Sequence, residues 1–490
     1  MRLLITRSSF GALSASLLVS ACTLGPDYAP PQTQIEHHWY GDSTAGPAEG
    51  ARWWQSFNDR MLDSLVDQML AGNPDLRAAQ ARVMEARANR DAVRGGRLPE
   101  VTVGATGNQV VLSENGQIPV GQIPGFSRSF PLFDVGFDSS WELDLWGRQA
   151  RQSDAAQARS EAIALSAEAT RMQLIAELAR AYVGLRLAQS DLQTAQRAFA
   201  ARTEIADLAA LLTRAGETNQ IDANRARSDA DSARLAVTQA EAAVRAAAVQ
   251  VTRLIGAEPA DLLGRLEIPA PIPAPPPAIS AGMPSDLLRR RPDIRGAERE
   301  LAAASADIGV ARADLFPRIS LSLGLGQQAR ALADMADGGS TRLQAGGGLF
   351  WPLFNGGRAR AMVRAADARA QSAAARYDSA VIGALADSEG AINQFDRSLA
   401  GMAAADESAR REQATYALAV KRQRAGEDDR IALARATLTR LAAEQQLAQA
   451  RAGAAQAAIA LNKALGGGWD PDSIVTERAV ASSDGERENK

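Results

Sequence analysis

The segment Asn73-Pro74-Asp75-Leu76-Arg77 recurs as Arg291-Pro292-Asp293-Ile294-Arg295, and Leu98-Pro99 recurs as Phe316-Pro317, both at an offset of 218 residues. Further along, Gly147-Arg148 matches Gly357-Arg358, Arg214-Ala215-Gly216 matches Arg424-Ala425-Gly426, and Leu254-Ile255-Gly256 matches Ala464-Leu465-Gly466, now at an offset of 210. A fixed period of this kind dictates two copies of one structural unit rather than a set of unrelated domains. The eight-residue change falls between Pro99 and Gly147, in a stretch that reads as a strand hairpin, where loop length varies most freely. Between the copies lies Pro269-Ala270-Pro271-Ile272-Pro273-Ala274-Pro275-Pro276-Pro277, which reads as a stiff extended linker.

Each copy carries the same order of patterns: a helix of some 25 residues, two strands, a very long helix, a glycine-marked turn and a second long helix. Asn73 or Arg291 before Pro-Asp supplies the N1 proline and early acid of a helix start. No proline interrupts Arg148 to Thr213, so that helix could reach on the order of 95 Å at 1.5 Å per residue. Leu165, Met172, Ile175, Ala179, Tyr182, Leu185 and Leu192 follow the 3.5-residue period of a coiled-coil seam. The 46% apolar content is heavily weighted to alanine and aromatics supply only 5%, which predicts closely packed helices with little conventional core.

The strands alternate apolar with polar or small residues. Phe133, Val135, Phe137, Trp141, Leu143 and Leu145 alternate with Asp134, Gly136, Asp138, Ser140, Glu142 and Asp144, and Ile319, Leu321, Leu323 and Leu325 repeat the period against Ser320, Ser322, Gly324 and Gly326. Strands near ten residues with Trp141, Trp146 and Trp351 near their ends fit an outer-membrane barrel, with Asp134, Asp138, Glu142 and Asp144 facing a water-filled lumen. Four strands cannot close a barrel, and an open edge in lipid leaves backbone groups unsatisfied at several kcal/mol each, so the chain is expected to oligomerise.

Other classes of function are poorly supported. A net charge of -3 argues against a nucleic-acid binder. The three lysines, Lys421, Lys463 and Lys490, lie outside any glycine-rich phosphate loop, so no nucleotide-driven motor is expected. His37 and His38 are adjacent, unlike a helical metal pair, and an enzyme or a metal site is not expected. Residues 1–21 have the basic start, apolar middle and small-residue end of a secretory signal. They end at Cys22, the only cysteine, and Leu18-Val19-Ser20-Ala21-Cys22 resembles a bacterial lipobox, which implies acylation of Cys22 as the only covalent group, with no other cofactor. Thr23 in place of aspartate favours the outer membrane, by resemblance to lipoproteins generally.

Cys22-Thr23-Leu24-Gly25-Pro26-Asp27-Tyr28, Trp53-Trp54 with Phe57, Asn73-Pro74-Asp75-Leu76, Leu287-Leu288-Arg289-Arg290-Arg291-Pro292-Asp293-Ile294 and Ala311-Arg312-Ala313-Asp314-Leu315-Phe316-Pro317 together resemble the outer-membrane efflux proteins of the TolC and OprM type, in their lipoprotein branch. The resemblance implies a mixed α and β membrane protein: a trimeric 12-stranded β-barrel, four strands per chain, continuous with a long periplasmic α-helical coiled-coil barrel. It implies a homotrimer in outer-membrane lipid that serves a periplasmic adaptor protein and an inner-membrane pump as a passive exit duct. The helix-hairpin tips at Arg214 and Gly216 and at Arg424 and Gly426 would receive the adaptor. Asp428 and Asp429 would form a periplasmic gate, held shut by Arg424 or Arg430, with a solvated helix-start cluster as the alternative.

The chain then divides into a signal peptide (1–21), a lipidated N-terminal extension (22–72), a first repeat (73–268), a Pro-rich linker (269–284), a second repeat (285–469) and a polar tail (470–490). The sequence leaves two other functions open: a protein-secretion duct of the same fold, and a periplasmic coiled-coil adaptor lipoprotein, which would have no need of amphipathic strands.

Overall fold

The structure is a computed structural model that describes residues 23–33, 35, 38–40, 50–114, 124–256 and 258–471. The signal segment, Cys22, His37 and residues 472–490 lie outside the described residues. After a short 3-10 turn at Trp53–Phe57, the elements are α1 (Arg60–Gly72), α2 (Pro74–Gly95), β1 (Glu100–Val111), β2 (Ser129–Leu143), α3 (Arg148–Arg214), α4 (Gln220–Ile255) and the short α5 (Pro259–Leu266). The second copy follows a single helical turn at Leu287–Arg290: α6 (Pro292–Ala313), β3 (Arg318–Ala329), β4 (Thr341–Phe350), α7 (Arg358–Arg424) and α8 (Arg430–Ala464). The sequence repeat is a structural repeat: α2 and α6 have 22 residues each, and α3 and α7 have 67 each. Two compact units divide the chain.

The first unit takes Met84–Ile163 and Ala297–Tyr377 together with the described residues up to Pro31. Its centre is one antiparallel sheet in the order β1-β2-β3-β4, with β2 paired to β3 so that the two repeats share a sheet. The register sets Val103 opposite Phe137, Phe137 opposite Leu325 and Leu325 opposite Leu343, which puts the alternating apolar residues of all four strands on one face. That face is bare: Val103 is 69% exposed, Phe137 59%, Leu325 50% and Leu343 71%. In water such a contiguous apolar surface is a liability, and its presence on a sheet is the signature of a lipid contact. Within one chain β1 and β4 each keep one unpaired edge.

The second unit takes Gln32–Val83, Ala164–Gly296 and Asp378 onward. Here the structure departs from the expectation of little conventional core. Trp53, Trp54, Leu62, Leu65, Met69, Ile175, Tyr182 and Leu185 are all at most 2% exposed. The stripe on α3 is therefore buried, with only Leu192 left half-exposed, but it is covered by the segment before Asn73 as well as by helices. Tyr182 donates its hydroxyl to Asp59 Oδ2 at 2.8 Å, and the Asp59 carboxylate also caps α1 by accepting from the Met61 and Leu62 amides. Burial, with the Arg186 guanidinium acting in the opposite direction, pushes the Tyr182 hydroxyl up, so it remains a donor at any physiological pH. The proline segment forms no helix or strand, yet Pro273 and Pro276 are buried. The chain just before it is tied to α3 where Gln189 Nε2 donates to Leu266 O at 2.7 Å and Arg186 Nη1 donates to Ile268 O at 2.8 Å.

Candidate functional site

The polar face of the sheet is paved with small residues. Gly104, Gly136 and Gly326 form one cross-strand row that ends on Arg342, and Thr102, Asp138, Gly324 and Gln344 form the next. Arg342 reaches back over these glycines: its Nε lies 2.7 Å from Asp134 Oδ2, its Nη2 donates to Asp134 Oδ1 at 2.9 Å, and its Nη1 lies 3.3 Å from Asp138 Oδ1. Gln328 Nε2 also donates to Asp134 Oδ2, at 2.9 Å. Two of the four acidic positions expected on this face thus share a cation contributed by the other repeat. Alternation within β2 alone could not reveal that partner, because it depends on which strands pair.

Glu142 sits on the same face near the end of β2 and accepts from Arg148 Nη2 at 3.0 Å. Asp144 is a correction: β2 ends at Leu143, and Asp144 is no strand residue. Its two carboxylate oxygens accept from the Gln149 and Ala150 amides at 3.0 and 2.8 Å, so it satisfies the orphan N–H groups at the start of α3. The strand pattern had run two residues too far because a helix-capping acid fell in phase with it.

At the strand–helix junction Trp146 stacks on Phe316 with ring centroids 4.9 Å apart and donates to Pro317 O at 2.8 Å. The residues that follow Cys22 pack beside it. Leu24 N–H donates to Trp146 O at 3.1 Å, and Arg151 donates to Asp27 at 2.6 Å. A Cβ on Gly309 would stand 2.6 Å from Leu24 O, so only glycine lets this strand of chain approach α6. The hydroxyl of Tyr28, which burial and then the Glu298 carboxylate push up, donates to that carboxylate.

Both helix hairpins of the second unit turn through the same geometry. Gly216 and Gly426 each take φ +77°, and the Glu217 and Glu427 amides close the turns on Leu212 O and Arg422 O at 2.9 and 3.0 Å. Asn219 caps α4 by accepting from the Asp222 amide at 2.9 Å, and Asp429 caps α8 by accepting from the Ala432 amide at 2.6 Å. Arg214 ends α3 and donates to Ala210 O at 3.3 Å, while Arg424 ends α7 exposed. Asp428 accepts from Arg422 Nη2 at 3.0 Å. Arg430 turns away from the two aspartates and donates through Nε to Glu204 on α3 at 2.9 Å. The structure brings Asp428 and Arg422 together, while Asp429 caps α8; Arg430, expected to hold the acids, pairs with Glu204.

Among the described residues no group of three His, Cys, Asp or Glu could hold a metal ion, and no helix is long and apolar enough to cross a membrane. What this geometry offers is a sheet with a lipid-type face and a polar face, in a chain whose helices of 67 residues are far longer than a globular core uses.

Known proteins share this architecture. The solved structure of the outer-membrane channel OprN is 36% identical, covers 91% of this chain and 100% of its own, and superposes with a TM-score of 0.80. The outer membrane protein OprJ of Pseudomonas aeruginosa is 31% identical over 97% of this chain and 100% of its own length. The pyoverdine export outer membrane protein OpmQ of the same organism is 30% identical over 96% of this chain and 98% of its own. The outer membrane efflux protein profile matches residues 65–257 and 283–467, the two halves that the internal repeat marks out. With that match across most of its length, the chain belongs to the outer membrane efflux protein family.

Proposed function

We propose that three copies of this chain complete one barrel of twelve strands and act as the exit duct of a tripartite efflux system, receiving molecules from a periplasmic adaptor and an inner-membrane pump. The observation that carries the reading is the sheet of four strands with an exposed apolar face and two unpaired edges. Edges left open in lipid cost several kcal/mol per unsatisfied group, and closure against further copies removes them. The family is one of outer-membrane efflux channels, which are transporters and not enzymes, and the chain is an outer-membrane efflux protein. Energy then comes from the pump, and the duct is passive. Small molecules are the cargo favoured by the relatives, which include pyoverdine export and toluene efflux proteins.

In this reading Cys22 carries the acyl anchor, with no other cofactor, and the packing of Thr23–Tyr28 fixes where the anchored chain enters the fold. The tips at Arg214 and Gly216 and at Arg424 and Gly426 receive the adaptor, and Asp428 and Asp429 line the periplasmic constriction. The test is expression in cells that lack their own outer-membrane duct but carry a matching adaptor and pump. The expected results are a heat-modifiable oligomer in the outer-membrane fraction, palmitate incorporation lost in Cys22→Ala, and restored resistance to pump substrates. Recovery of a soluble monomer once Cys22 is removed would overturn the duct.

A further inference from the structure

We infer that Arg342 sets the ion preference of the barrel lumen, by holding the Asp134–Asp138 cluster on the sheet's polar face to one net negative charge per chain. The inference rests on the duct reading above, which makes the polar face the lumen wall.

The charge inventory of the sheet is short. Across all four strands the ionisable residues are Glu100, Asp134, Asp138, Glu142, Arg318 and Arg342. Glu100 and Arg318 open their strands and Glu142 nearly closes its own, so all three sit at the end that joins the helices, two of them beside helix-side partners: Glu142 with Arg148 and Arg318 with Asp314. Away from that end, Asp134, Asp138 and Arg342 are the only charges in the four strands. Two carboxylates against one guanidinium leave one net negative charge in each chain, and three copies around a threefold axis leave three in a ring.

The site is built to keep Arg342 there. A Cβ on Gly324 would stand 2.6 Å from Asp138 Oδ1 and 2.9 Å from Arg342 Nη1; one on Gly136 would stand 3.3 Å from Arg342 Nη2. These glycines leave a recess the guanidinium fills, which brings it between two carboxylates on a strand that is not its neighbour in the sheet. Arg342 is then 23% exposed, whereas Asp138 keeps 55% of its side chain in contact with solvent. A cation moving through the lumen meets the exposed oxygens of Asp138, and the arginine limits how strongly they hold it. Rings of charged side chains in a narrow aqueous pore govern selectivity in this way.

The test uses the full lipidated chain reconstituted as its oligomer in planar bilayers, with the reversal potential read in a potassium chloride gradient. Wild type is expected to prefer potassium weakly. Arg342→Gln doubles the net charge of the ring and should raise the potassium-to-chloride permeability ratio about twofold or more, while Asp138→Asn neutralises the ring and should bring the ratio toward one. Arg342→Lys keeps the charge but loses the two-pronged grip, so it should retain the wild-type ratio even if the oligomer dissociates at lower temperature. Running each variant also with Asp428→Ala and Asp429→Ala separates the lumen from the helix tips. Equal ratios in wild type, Arg342→Gln and Asp138→Asn would overturn the inference while leaving the duct intact; an oligomer that conducts no ions even with Asp428→Ala and Asp429→Ala in place would overturn the duct and the inference together.

Discussion

Trp141 donates its indole N–H to the carbonyl oxygen of Arg97 at 2.9 Å, and the second repeat makes the same bond from Trp351 to Leu315 at 3.0 Å. The donors are 210 residues apart and the acceptors 218, so the pair crosses the point where the two copies change length and is preserved on both sides of it. Each bond ties the end of a strand to the residues that lead into its hairpin. An amphipathic indole at that height, apolar ring outward and N–H inward, suits the boundary between hydrocarbon and water.

Removing either indole N–H should therefore cost a similar amount. Trp141→Phe and Trp351→Phe each delete one hydrogen bond while keeping an aromatic ring, for about 0.5–1.5 kcal/mol. The dissociation temperature of the detergent-solubilised oligomer should fall by comparable steps, and further in the double variant. A marked loss from one substitution and none from the other would show that the two junctions are not mechanically equivalent.

A second repeated bond uses unlike residues. Asn73 Nδ2 donates to Leu254 O at 2.6 Å, and at the corresponding place Arg291 Nη1 donates to Ala464 O at 3.3 Å. Asn73 also caps α2, accepting from the Asp75 and Leu76 amides at 2.8 and 3.1 Å, whereas Arg291 is held by Asp293 and Asp387. Asn73→Ala should destabilise by about 1–3 kcal/mol, since it removes a cap and leaves a buried carbonyl unpaired. Arg291→Asn should lose the ion pairs but gain the capping oxygen that Asn73 supplies in the first repeat, and thermal unfolding followed by circular dichroism should find it milder than Arg291→Ala.

These two pairs show what can be read from residues alone. The repeat, the element order, the helix ends at Arg148 and Gly216 and the two-faced strands follow from spacing and alternation, because those patterns are local. The core under Trp53 and Trp54 does not, since it depends on a contact between Asp59 at the cap of α1 and Tyr182, 123 residues away. The Arg342 cluster is hidden for the same reason: nothing in the sequence states that β2 lies beside β3. Asp144 misleads in the other direction, as an acid in strand phase whose real partners are two helix amides.

The tip glycines carry their own test. Gly216 and Gly426 have open space where a Cβ would go, so substitution meets only the cost of holding an L-residue at φ +77°. Gly426→Ala should cost about 1–2 kcal/mol through the backbone alone. Export should fall by more than stability does if the tip seats the adaptor. Cross-linking yield between the tip and a co-expressed adaptor, compared with the melting temperature, separates the two effects.

Asp191 on α3 predicts a pH effect. Burial pushes its carboxyl up, and the Gln445 amide that donates to it at 3.4 Å opposes the shift only in part. A raised folded value means that the native state binds the proton more tightly than the unfolded chain, so this contribution is full below the unfolded carboxyl range and is lost as pH rises from there through the raised folded value. Asp191→Asn removes that charge. The variant should melt higher than wild type at pH 7, and the difference should vanish below about pH 4.

The gate prediction turns on which cations face the tip acids. Asp428 is engaged by Arg422 within its own hairpin, and Arg430 is engaged by Glu204 on α3, so α7, α8 and α3 are pinned to one another near the turn. Opening a constriction formed there requires these contacts to break or to move as a block. Exposed pairs of this kind are worth about 0.2–1 kcal/mol each, small enough for an adaptor to exchange for its own contacts. Glu204→Gln and Arg422→Gln should each raise single-channel conductance or antibiotic leakage in the absence of a pump, and Asp428→Ala with Asp429→Ala should do so more strongly, because the second change also removes the α8 cap. Unchanged conductance in all three variants would remove both the acids and their arginine partners from the gate.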